Sequence, residues 1–129
     1  LQFSTDAANW STWDGTTTLQ SVNNVLYLRG SGNTKITGGT SEKWVITSAG
    51  EVSCDGDIRT LLDYEHPDST IMGSDCFKDM FYGCTSLETA PELPATTLED
   101  NCYESMFHGC ESLVEAPELP AKTLKRECY

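Results

Sequence analysis

The most reactive side chains in this chain are six cysteines, at positions 54, 76, 84, 102, 110 and 128. An even number of thiols in 129 residues is the pattern of a disulfide framework made in an oxidising compartment, where covalent links supplement a small core. The other reading is buried, reduced cysteine acting as a small core residue. No Cys-x-x-Cys pair and no histidine pair at ligand spacing is present, so no metal site or cofactor is expected.

Other side chains offer less. Trp10, Trp13 and Trp44 could stack on a sugar ring, although tryptophans in a small β-module more commonly form its core. Asp55-Gly56-Asp57 with Asp63 supplies oxygen ligands but lacks the spaced loop of a calcium site, and reads as a turn with solvated acids. His66 and His108 are 42 residues apart. His108 replaces Tyr82 of a related segment, which does not suit a catalytic role. Glu115 and Glu118 recur with the repeat described next, as surface acids do. No Gly-x-Ser-x-Gly elbow and no phosphate-cradling glycine loop occurs, and no enzyme is expected.

The elements that carry these residues are repetitive. Residues 76–98 (Cys-Phe-Lys-Asp-Met-Phe-Tyr-Gly-Cys-Thr-Ser-Leu-Glu-Thr-Ala-Pro-Glu-Leu-Pro-Ala-Thr-Thr-Leu) return at 102–124, and Cys128-Tyr129 opens a third copy. The period is 26 residues and 15 of the 26 positions are identical, which is the signature of stacked repeats. Leu98, Cys102 and Met106 recur at i, i+4 and i+8, with Thr97 and Asp100 as a capping pair and Gly109 as a stop signal. This spacing predicts a short amphipathic helix. Leu113–Ala116 then reads as a short strand, and Pro117-Glu-Leu-Pro120 as an extended return that cannot continue it.

Upstream, residues 1–54 alternate β-branched and aromatic segments with turn signals. Strands are expected at Leu1–Ser4, Trp10–Trp13, Thr17–Leu19, Val25–Arg29 (the most apolar, hence central), Trp44–Thr47 and Val52–Cys54. Residues 55–75 form a junction, or degenerate first repeat, in which Leu61 and Met72 keep the register. The fold class predicted is α+β: a small antiparallel β-module at 1–54, the junction at 55–75, and a leucine-rich-repeat-like α/β solenoid at 76–129.

On that geometry the cysteines sort themselves. A Cys76–Cys84 bridge would span about 12 Å of helix, beyond the ~7 Å Cα limit. Like-with-like pairing between helices some 8–10 Å apart is also unfavourable. Joining each Gly-Cys to the next Cys-aromatic leaves none over: Cys84–Cys102, Cys110–Cys128 and, at the front, Cys54–Cys76. Each closes a loop of about 20 residues, worth on the order of 3 kcal/mol.

Composition narrows the partners. The formal net charge is −12, contributed equally by residues 1–75 and 76–129, with 10 acids and 4 bases in each. Nucleic acid and anionic membrane surfaces are therefore not expected as partners. No apolar run reaches the ~18 residues of a membrane span, so direct membrane insertion is not expected. The chain opens on Leu1 rather than Met and stops two residues into a repeat, and it reads as a piece of a longer protein.

The motif Cys-Tyr-x-x-Met-Phe-x-Gly-Cys-x-Ser-Leu-x-x-Ala-Pro-Glu-Leu-Pro-Ala-x-Thr-Leu resembles the repeat of the BspA-like leucine-rich-repeat surface proteins of gut and oral bacteria. Phe3–Asp6, Trp10–Gly15, Val25–Gly30 and Ile58–Asp63 resemble the module that often precedes those repeats. The resemblance implies a secreted or cell-surface, extracellular bacterial protein of adhesive function, whose partner is a host or matrix protein or another surface protein. It carries over no catalytic or ligand residues. Recognition is then expected where the copies differ: Lys78, Asp79, Tyr82, Thr85, Glu88 and Thr89 against Glu104, Ser105, His108, Glu111, Val114 and Glu115. The alternatives are a carbohydrate-binding module using Trp10 and Trp13, and a structural spacer.

Overall fold

The computed structural model describes all residues, Leu1–Tyr129. Its N-terminal part is a three-stranded antiparallel sheet of β1 (Gln2–Ser4), β2 (Ser11–Thr12) and β3 (Tyr27–Arg29), in the order β2-β1-β3. Phe3 lies opposite both Ser11 and Leu28. The loops between strands are tied by aspartates. Asp6 accepts the N–H groups of Ala8 and Asn9 at 2.9 and 2.8 Å, and Asp14 accepts those of Thr16 and Thr17 at 2.8 and 2.7 Å. These are Asx turns, which short polar side chains form in competition with regular structure.

Beyond β3 the chain winds into stacked coils. Residues 34–58 form the first, 73–98 the second and 101–124 the third. β4 (Thr37–Gly38) pairs in parallel with β6 (Phe77–Lys78), and β5 (Val52–Ser53) pairs in parallel with β7 (Leu87–Thr89). Between the second and third coils the register is that of the repeat. The N–H groups of Asp75, Phe77, Asp79, Phe81 and Gly83 donate to the carbonyls of Asp100, Cys102, Glu104, Met106 and His108 at 2.7–3.0 Å. Asn101 and Tyr103 donate in turn to Arg126 and Cys128 at 2.8 and 3.1 Å. Only 8 of the 47 backbone hydrogen bonds lie within helices and strands, so coil-to-coil and turn bonds hold the backbone.

The helix expected around residues 98–107 does not form, nor does its counterpart at 72–83. The molecule has no α-helix, only 3-10 turns at Thr40–Glu42, Ile58–Leu61 and Pro67–Ser69. The α component of the expected α+β class is therefore corrected. In its place run overlapping four-residue turns: Asp75 accepts from Lys78, Phe77 from Met80, Asp79 from Tyr82 and Phe81 from Cys84, at 2.9–3.3 Å. Every fourth residue is left-handed, namely Asp75, Asp79 and Gly83, then Asn101, Ser105 and Gly109. An i, i+4, i+8 pattern suits such a chain better than a 3.6-residue helix, because its period is four. Gly83 and Gly109 sit at φ +74 and +75, and a Cβ on Gly109 would come within 3.4 Å of Gly83 Cα. Glycine is used here both for its left-handed backbone and for close stacking.

Four strand expectations are also corrected. Thr17–Leu19 and Trp44–Thr47 are irregular. β3 is an edge and β1 the centre. Val52–Ser53 joins the stack rather than the antiparallel sheet, so antiparallel strand pairing within 1–54 is confined to residues 2–29.

One cluster of 17 buried residues forms the core, from Ile58, Leu61 and Leu62 in the junction through Phe77, Met80, Phe81, Leu87, Leu93 and Leu98 to Tyr103 and Met106. Burial falls along the stack: Leu93 and Leu98 are 3% and 1% exposed, while their counterparts Leu119 and Leu124 are 47% and 61% exposed. Leu98→Ala should therefore cost about 2–5 kcal/mol. Leu124→Ala should change stability by no more than about 0.5 kcal/mol. Urea denaturation of both variants checks the difference.

Candidate functional site

Stacking at one-repeat offset places each side chain against its own counterpart. Phe77, Tyr103 and Tyr129 form a column with ring centroids 5.8 and 5.9 Å apart and nearly parallel planes. Phe81 and Phe107 form another at 5.8 Å. Trp44 packs edge-on against Phe81 at 6.3 Å and against Trp13 at 5.8 Å, which ties the N-terminal sheet to the stack.

The same rule governs the positions that differ between copies. Lys78 Nζ donates to Glu104 Oε2 at 2.7 Å. This ion pair raises the Lys78 pKa, chiefly through that hydrogen bond. Tyr82 and His108 stack at 4.6 Å, with Lys43 Nζ 5.2 Å from the Tyr82 ring. Asp79 is buried and accepts the Thr40 hydroxyl at 2.9 Å. Asn101 donates to Asp75 at 2.9 Å, and Lys125 lies 3.8 Å from Glu99. Lys78, Glu104, Asp79, Tyr82 and His108 are therefore spent on joining coils. Lys43 escaped notice in the sequence because the first coil does not keep the 26-residue register: Thr37 meets Phe77 and Val52 meets Leu87.

What remains outward is one strip. Thr85, Thr89, Glu111, Val114 and Glu115 are exposed, and Glu88 is half-buried. The side chains of Glu88, Glu111 and Glu115 make no hydrogen bond or ion pair within the chain. Glu88, Thr89, Val114 and Glu115 border an open depression of about 290 Å³. Beside it, a groove of about 90 Å³ between Trp44–Ile46 and Tyr82–Thr85 is too small for an ordinary organic ligand, which needs some 300–1,000 Å³.

The N-terminal aromatics are also engaged. Arg29 lies between Trp10 and Tyr64, its guanidinium carbon 3.9 and 4.0 Å from the two rings, and Trp13 Nε1 donates to the Thr17 carbonyl at 2.8 Å. Both tryptophans are half-buried, so neither offers two free faces. Asp57 caps the Ile58–Leu61 turn and binds Arg59 Nη2 at 2.6 Å, a structural role. His66 lies 3.8 Å from Asp63. No group of three or more His, Cys, Asp or Glu side chains is placed to hold a metal ion.

All six cysteines are free thiols, and none of the three expected bridges is formed. Cys76, Cys102 and Cys128 stand in a column of like over like. Cys76 Sγ is 3.8 Å from the Cys102 carbonyl, and Cys102 Sγ is 3.7 Å from that of Cys128. Hydrogen bonding to Cys102 and burial drive the Cys76 thiol pKa upward. Cys84 and Cys110 are likewise counterparts, with Cys110 Sγ 3.2 Å from the Phe81 carbonyl that accepts the Cys84 N–H at 2.9 Å, whereas Cys54 lies beside Thr89, to whose carbonyl its N–H donates at 3.0 Å. The expected pairing rested on helices 8–10 Å apart. With coils stacked through backbone hydrogen bonds, the counterpart cysteine becomes the neighbour.

Compared with protein-family models, with curated proteins and with solved structures, the chain matches none.

The Lys78–Glu104 column carries a test. Lys78→Glu should lower the urea midpoint by placing like charges together, and adding Glu104→Lys should recover most of the loss. Because the folded Lys78 pKa is raised, the pair's contribution is fully present below the ordinary lysine pKa. It is lost as pH rises through the raised value. The midpoint difference between the native chain and Lys78→Met should shrink over that alkaline window.

Proposed function

We propose that the chain is a non-enzymatic binding module of a bacterial surface protein, as its BspA-like resemblance implies, and that it engages a protein partner through the strip Thr85, Glu88, Thr89, Glu111, Val114 and Glu115. The observation that carries this reading is the division among the variable positions. Those whose side chains pair with a neighbouring coil are explained by stacking, whereas this strip differs between copies and faces outward with unpaired acids. Of its side chains, Thr89 alone reaches a neighbouring coil, where its hydroxyl accepts that of Ser53 at 3.3 Å. A stacked scaffold with substituted outward positions suits recognition of an extended protein surface. Three free carboxylates favour a partner rich in lysine and arginine, with association that weakens as salt rises. An extracellular setting belongs to the same proposal. The absence of any apolar helix long enough to cross a membrane is compatible with it.

A glycan-binding role for Trp10 and Trp13 has less support, because Arg29 covers one ring and Trp44 abuts the other. A spacer role is the remaining alternative. The test is binding of the purified chain to a panel of extracellular-matrix proteins and to a glycan array. A protein ligand should be bound, and the triple variant Glu88→Lys, Glu111→Lys, Glu115→Lys should lose at least about tenfold in affinity with an unchanged thermal melt. Glycan binding abolished by Trp10→Ala, or protein binding untouched by the triple variant, would sink the proposal.

A further inference from the structure

We propose that Cys84 and Cys110 form a dithiol site, which a small disulfide oxidises to a single bond between the second and third coils. The site goes beyond the binding role above and does not depend on it. Its basis is register. Gly83 and Gly109 immediately precede the two cysteines and lie over one another. The Gly83 N–H donates to the His108 carbonyl at 2.7 Å, and a Cβ on Gly109 would stand 3.4 Å from Gly83 Cα. One carbon–carbon bond adds about 1.5 Å, so these Cα atoms are within about 5 Å of each other. Beyond the cysteines, the Val114 N–H donates to the Glu88 carbonyl at 3.1 Å, so the same offset holds on both sides. Backbones so paired run about 5 Å apart, inside the roughly 4.4–6.8 Å Cα separation of a disulfide.

The side chains add to this. Cys110 Sγ lies 3.2 Å from the Phe81 carbonyl, and that carbonyl also accepts the Cys84 N–H at 2.9 Å. The Cys110 sulfur therefore sits at the Cys84 backbone. The Cys84 sulfur has one polar neighbour, Ser86 Oγ at 3.9 Å. Thiols are weak hydrogen-bond partners, so turning either side chain toward the other gives up little. Burial holds the Cys110 thiol above its ordinary pKa, which makes its thiolate scarce at neutral pH. Cys54 stands apart, because its N–H donates to the Thr89 carbonyl at 3.0 Å, well beyond Cys84 along the second coil.

Access separates this pair from the column of Cys76, Cys102 and Cys128, which are 0%, 0% and 3% exposed. Cys110 is half-buried, and Cys84 lines the groove beside Trp44 and Ile46. A small disulfide such as oxidised glutathione therefore meets Cys110 first. The Cys110 thiolate attacks one glutathione sulfur, forming a mixed disulfide and expelling one glutathione thiolate. The Cys84 thiolate then attacks the Cys110 sulfur and expels the second. Two protein thiols lose two electrons, one glutathione disulfide becomes two glutathione thiols, and the protein's two protons end on them.

The folded chain is incubated with oxidised glutathione, quenched with acid, alkylated after denaturation and mapped by mass spectrometry. A single internal link, Cys84–Cys110, is expected. Its rate of formation should rise about tenfold per pH unit near neutrality, as thiolate attack requires. Cys84→Ser should stop the reaction at a glutathione adduct on Cys110, whereas Cys54→Ser should form the link at the unmutated rate. The map of the unmutated chain decides alone if a variant misfolds. Three results there would overturn the assignment: an internal link that includes Cys54, Cys76, Cys102 or Cys128, glutathione left on Cys110 without an internal link, or both thiols still free after prolonged incubation.

Discussion

Everything beyond the N-terminal sheet depends on one directional hydrogen-bond pattern. Alternate N–H groups of a coil, those of Asp75, Phe77, Asp79, Phe81 and Gly83, point along the stack to carbonyls of the next. Such a ladder tolerates no slippage. Moving it by one residue would turn Phe77 and Phe81 outward, and the left-handed residues would no longer lie over one another. Register is thus specified twice, by apolar side chains pointing inward and by residues that accept positive φ. Because the coils are about one hydrogen bond apart, like must lie on like.

That constraint explains which positions the repeat keeps and which it changes. Aromatic over aromatic is favourable, and Phe77, Tyr103 and Tyr129 stack accordingly. Glycine over glycine admits the closest approach, as at Gly83 and Gly109. Charge over identical charge is unfavourable at this spacing. Among the fifteen positions identical between copies, only Glu92 and Glu118 are charged, and both are exposed to screening water. Elsewhere the sign alternates or is neutralised: Lys78 over Glu104, Glu99 over Lys125, Asp75 over Asn101. Difference between copies is therefore not by itself a mark of recognition. Only where a differing side chain also lacks a partner in the neighbouring coil, as at Glu88, Glu111 and Glu115, does it invite an external one.

The sequence made the 26-residue period and part of the core legible. The inward positions Cys76, Met80, Leu87, Leu93 and Leu98 follow from apolar recurrence and are buried. It did not make the backbone legible. An apolar residue every fourth place matches a helix by pattern, although Asp75, Asp79 and Gly83, then Asn101, Ser105 and Gly109, repeat turn-forming residues at the same interval. Three such residues in each copy oppose a helix by propensity. The helical spacing implies cysteine neighbours other than those the stack brings together. The contribution of residues 34–58 as a first coil was hidden for another reason. Its offsets to the second coil, such as Thr37 to Phe77 and Val52 to Leu87, exceed 26, and a fixed-period comparison passes over them.

A stack held by nearest-neighbour contacts is not equally firm along its length. The second coil is bonded on both faces and contains most of the fully buried side chains. The third has the second below it, but the N–H groups of Ser105, Phe107 and Gly109, equivalent to Asp79, Phe81 and Gly83, have no acceptor in the chain. Leu119 and Leu124 are correspondingly open. Within residues 1–129 the third coil is therefore held by fewer contacts than the second. The outward strip of Glu111, Val114 and Glu115 lies on this less firmly held coil.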